Sequence, residues 1–92
     1  MHVDTAVKEV DEAVAKEVGG ENEAFRDSVR AAFEAVDDAA GGDAVADLTR
    51  FVAGYVRDEA ERPDPAAVDG RAADIVREHG EPVPEGSRLR NA

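Results

Sequence analysis

Apart from its carboxylates, the chain owns few groups that can attack a carbon or move a proton: His2 and His79, Ser28 and Ser87, Thr5 and Thr49, and no cysteine. Nucleophilic catalysis needs such a group beside a base, and the base beside an orienting partner. His2 stands at the start of the sequence and His79 at the end of a helical segment. A protonated ring there is favoured by the negative end of the helix dipole, which accounts for His79 without catalysis. The missing cysteines remove thiolate zinc sites, thiol nucleophiles and disulfides together. No catalytic residue is assigned, and an enzyme ranks third among the functional readings.

Carboxylates are abundant, so any one pair carries little information. Glu34, Asp37 and Asp38 recur about one helical turn apart, a spacing that lets hard oxygen ligands share a divalent cation. They also occupy the middle of a polar helix face, where charge runs are ordinarily solvated. The Glu-Glu-x-x-Glu and Glu-x-x-Asp ladder of helical nucleotide pyrophosphohydrolases is absent. No metal or cofactor is therefore expected. Glu17 is the one carboxylate on the apolar side of its helix; burial there would call for an arginine partner, and a position near the helix end gives it water instead.

Four helical segments must position these residues. Val3, Val7, Val10, Val14 and Val18 recur at spacings of four and three, which predicts a helix over 4–18 with Asp4 as its cap and Gly19-Gly20 as its stop. The cleanest two-sided pattern lies at 23–40. Phe25, Val29, Ala32, Phe33, Val36 and Ala40 share one side, and Ala24, Ala31, Ala35 and Ala39 widen it to an arc of roughly 200°. Such a helix must touch more than one neighbour. Gly41-Gly42 ends it, with Asp43 placed to cap a third helix over 44–61 that carries Val45, Leu48, Phe51, Val52, Tyr55 and Val56. Asp47, Arg50, Arg57, Asp58 and Glu61 are read as facing away, and Gly54 has no evident packing reason. Arg62-Pro63-Asp64-Pro65 is a boundary from which Asp64 can cap a fourth helix over 65–79, narrow-faced and open to a break at Gly70. The expectation is an all-α, four-helix bundle-like domain over 1–80. The second and third helices form its centre, and 81–92 is an irregular, proline-broken tail.

Charge is the strongest compositional signal, with 22 acidic against 11 basic residues, net −11. Nine of the basic residues are arginine; only Lys8 and Lys16 are lysine. Excess Asp and Glu, scarce Lys and a Val/Ala core resemble the composition of proteins from salt-in halophiles. That is a likeness of composition, not of family. It implies carboxylate self-repulsion in dilute buffer, screened when the Debye length falls to about 3 Å at 1 M salt. No basic region followed by a greasy run opens the chain, and the longest apolar run, 51–56, is far short of the roughly 20 residues of a membrane span. The expected setting is the cytoplasm, with no membrane contact.

Two features point to binding. Phe25, Phe33, Phe51 and Tyr55 are all of the aromatic residues and belong to the central pair of helices. Their breadth fits a face shared with a second copy in a homodimer, the expectation favoured here because the fourth helix is narrow, or simply coverage by the first and fourth helices. In the tail, Arg88 and Arg90 flank Leu89, a chemistry suited to an acidic partner. The leading reading is a small protein-interaction or regulatory module with an unknown protein partner. The alternative is a transcription-associated helix-turn-helix-like DNA-binding protein built on the second and third helices. It is disfavoured because acids accompany Arg50 and Arg57 and no basic patch neutralises phosphates.

Overall fold

The left-handed residue Gly41, at φ 86°, is the entire joint between the two central helices, closing one and opening the next. The computed structural model describes residues 1–20 and 22–80. They form α1 (Val3–Glu17), α2 (Glu23–Ala40), α3 (Gly42–Glu59) and α4 (Pro65–Gly80), with no strand among the described residues. The all-α four-helix arrangement is the one that the periodicity predicts.

α2 and α3 touch each other and both outer helices, whereas α1 and α4 do not meet; α1 packs most extensively on α3, and α4 on α2. Each central helix therefore buries residues against three neighbours, α2 through Val29, Ala32, Phe33 and Val36 and α3 through a longer set that includes Val45, Leu48, Val52 and Val56. The core holds Phe33, Leu48 and Ile75 among valines and alanines, including Val7, Val10, Val14, Val29, Val36, Val45, Val52, Val56 and Val68. Close packing of these small side chains replaces the larger residues that most cores use.

Several caps differ from expectation. Asp4 is not the cap of α1: the helix begins at Val3, and the Asp4 carboxylate accepts a hydrogen bond from Arg30 at 2.9 Å, an interhelical partner that the periodicity could not reveal. Asp43 does not cap α3 either, because the helix starts at Gly42 and places Asp43 inside the first turn, where its charge still suits the dipole. α3 ends at Glu59, two residues short of the expected end, with Ala60 in the left-handed region at φ 56°. Asp64 does cap α4: its Oδ1 accepts the Ala66 N–H at 2.9 Å, and Pro65 takes the first helical position. α4 runs through Gly70 without a break.

The arc of α2 is narrower than its alanines imply. Ala24, Ala31, Ala35 and Ala39 are exposed, while Val29, Ala32, Phe33 and Val36 are buried. Alanine has the best helix propensity and loses little by exposure, so its position on the wheel does not say which side is core.

Candidate interaction cleft

An open cleft with mixed apolar and polar walls lies where the first turns of α2 meet the linker into α4. Ala24, Phe25 and Ser28 form one wall, Arg62, Pro63, Asp64 and Pro65 the other, around a cleft of about 480 Å³. Phe25 is half-buried, packing against the core while it lines the cleft, and Pro63 is buried. Asn22 clamps the rim: its side-chain amide donates to the Gly20 carbonyl at 3.0 Å, and its oxygen accepts from Arg62 Nη1. This joins the α1–α2 joint to the α3–α4 linker and fixes the distance between the walls. The amide is thereby used for the loop and does not cap α2.

A larger groove of about 680 Å³ runs between the second half of α1 and the start of α2, lined by Lys8, Asp11, Glu12, Glu23 and Arg26 among others. Its lining is charged and the Arg26–Asp11 pair at 2.8 Å bridges it, so it is better read as a solvated helix junction than as a binding cavity.

The four aromatic residues do not form one surface. Phe33 is fully enclosed at 0% exposure, and Phe51 and Tyr55 are half-buried one turn apart on α3. Tyr55 donates its hydroxyl to Glu61 at 3.3 Å, and burial together with the Glu61 charge pushes the phenol up. α1 and α4 cover the rest, and Met1 is the only exposed large hydrophobic among the described residues. Of the aromatics, Phe25 alone lines the cleft. Arg88, Leu89 and Arg90 lie outside the described residues.

One polar cluster escaped the sequence reading. Asp47 does not simply face away: it is half-buried, with Oδ2 2.6 Å from His79 Nε2 and Oδ1 accepting from Arg50 Nη1 at 2.7 Å. Hydrogen bonds from Arg50 and then His79 hold the Asp47 carboxyl below the usual carboxylate range. The two partners are 32 residues apart, so only the packing of α4 on α3 brings them together. No hydroxyl among the described residues bonds the ring, and the arrangement serves as a clasp for the end of α4.

The acidic trio Glu34, Asp37 and Asp38 is exposed, and no group of three His, Cys, Asp or Glu residues among those described is placed to hold a metal ion. Glu17 is half-buried, and no described arginine pairs with it. Arg50 is tied to Asp47 and Arg57 lies 3.9 Å from Glu9. None of the described helices is long and apolar enough to cross a membrane. Comparison of the chain with protein-family models, curated proteins and solved structures finds no match.

Proposed function

We propose that this chain is a small non-enzymatic interaction or regulatory module of a salt-rich cytoplasm, and that it meets a protein partner at the cleft beside Phe25. The cleft carries the reading. Phe25, which lines it, also packs against the core, and Pro63 is buried, so part of the cleft is held in place and binding there loses less conformational entropy. Met1 apart, no large hydrophobic side chain is exposed among the described residues, and the chain's net charge of −11 favours hydration.

Self-association is a second reading: Phe51 and Tyr55 stay half-buried on α3, and Phe25 lines the cleft, so a second copy could meet either surface. The helix-turn-helix alternative draws no support from a one-residue joint, or from arginines already engaged by Asp47 and Glu9.

The test is purification of the full chain from a salt-grown source in molar KCl, alongside Ala24→Glu and Glu34→Ala. Both residues are exposed, so neither substitution touches the core. A stoichiometric protein partner lost with Ala24→Glu and kept with Glu34→Ala is the expected result. Equal recovery with both variants, or duplex DNA in place of protein, would overturn the reading.

A further inference from the structure

Both ends of the described chain are tied to the first turns of α3. The Met1 ammonium donates to the Gly42 carbonyl at 3.2 Å, and the Thr49 hydroxyl lies 3.4 Å from the Met1 sulfur. From the other end, His79 in the last turn of α4 brings its Nε2 to 2.6 Å from Asp47 Oδ2. Among the described residues no other ion pair or side-chain hydrogen bond joins α4 to another helix: Arg71 meets Glu78 and Arg77 meets Asp74, all four on α4. Apolar packing through Val68, Ala72 and Ile75 holds the helix along its length, and the ring alone fastens its final turn.

We infer that the Asp47–His79 contact is a proton-controlled latch, holding the last turn of α4 against α3 when the ring is charged and loosening it when the ring is neutral. The inference does not depend on the cleft. A neutral imidazole gives the carboxylate an ordinary hydrogen bond, whereas a protonated ring gives a charge-assisted one, roughly twice as strong. Protonation also places a cation at the negative end of the α4 dipole. The carboxylate keeps its own charge meanwhile, because Arg50 first and His79 second hold Asp47 below the usual carboxylate range. Near neutral pH, where imidazole ordinarily changes charge, only the ring responds.

The surrounding charges act in both directions. On α3, Asp47 favours a charged ring and Arg50, 2.7 Å from the other carboxylate oxygen, opposes it; Asp43 lies one turn earlier. Because Gly41 joins α2 directly to α3, the last turn of α2 lies at the same end of the bundle, with Asp37 and Asp38 and no basic residue. On α4 the neighbouring charges Arg77 and Glu78 have partners of their own. α1 does not meet α4, and the Met1 ammonium at Gly42 is the remaining cation there. Side chains 30% and 32% exposed are partly shielded from salt, so the contact survives in molar KCl with the modest effect of a partly exposed pair.

The test uses the full isotope-labelled chain in molar KCl. Backbone carbon shifts of residues 76–80 report the helical population of the last turn, and ring shifts of His2 and His79 report protonation at each ring. From about pH 5.5 to about pH 8 the unwound fraction at 76–80 should rise about threefold, the size expected of a partly exposed pair, in step with the His79 ring. The rise should vanish in Asp47→Asn, and in His79→Gln, which keeps a donor but not the charge; it should persist in His2→Gln. A last turn whose helicity ignores pH would overturn the inference. So would a rise that persists in Asp47→Asn, since the helix dipole alone would then be acting. A rise that persists in His79→Gln, or disappears in His2→Gln, would also overturn it, assigning the response to a group at the start of the chain.

Discussion

Four single substitutions that add or remove one methyl group should move stability in different directions according to the local backbone. Gly54 and Gly70 lie inside α3 and α4, neither has positive φ, and a Cβ built at either meets nothing within 4 Å. Each glycine leaves its helix about 0.8–1.0 kcal/mol less favourable than alanine would. Ala60 presents the reverse case, a Cβ-bearing residue held at φ 56°, ψ 34°, where an L-residue is disfavoured by roughly 1–2 kcal/mol. Part of that gain is offset because glycine also frees the unfolded chain, leaving about 0.5–1 kcal/mol for Ala60→Gly. At Gly42 a Cβ would sit 2.5 Å from the Met1 nitrogen, whose ammonium donates to the Gly42 carbonyl at 3.2 Å. Gly42→Ala must displace that contact and should be neutral to destabilising. For a domain of this size each kcal/mol corresponds to about 4–8 °C in Tm. Thermal unfolding by far-UV circular dichroism in molar KCl should show increases for Gly54→Ala, Gly70→Ala and Ala60→Gly, near-additive in the triple variant, and none for Gly42→Ala. A fall in Tm for Gly54→Ala or Gly70→Ala would mean that the space beside these glycines is occupied, and would refute the helix packing described.

Further substitutions separate core from surface. Phe33→Ala should cost about 3–5 kcal/mol in urea unfolding, because the ring is wholly enclosed, and half-buried Phe25 should cost well under half as much; similar costs would place both rings alike. Asp47 is ionised more readily in the folded chain than in the unfolded one, so its contribution is present above the unfolded value of about 3.9 and lost as pH falls from there through the lower folded value. Asp47→Asn should therefore flatten the decline of Tm across that acid range, and an unchanged slope would remove the clasp from the account. The native chain should melt higher in molar than in dilute KCl, since screening relieves carboxylate repulsion; equal melting would count against adaptation to salt.

The helices were legible because valine and phenylalanine recur with helical period, and because Gly19-Gly20, Gly41 and Pro63-Asp64-Pro65 interrupt that period with residues of known backbone preference. What misled was alanine: Ala24, Ala31, Ala35 and Ala39 read as an extension of the core and stand exposed. Asp4 and Asp43 fit the cap pattern, yet their helices begin earlier, at Val3 and Gly42. The Asp47–His79 contact and the cleft between Phe25 and Pro65 join segments remote in sequence, and neither leaves a local signal. The dispersal of the aromatics had the same cause, since only the packing of α1 and α4 decides which rings stay open to solvent.

The most direct measurement is site-specific photo-cross-linking in a salt-grown source, with the photoreactive residue at Ser28 on the cleft or at Asp58, exposed on α3. A discrete protein adduct from Ser28, absent from Asp58 and abolished by Ala24→Glu, is the predicted result. Adducts of equal yield from both positions, or none from Ser28, would contradict the assignment of the cleft as the partner site.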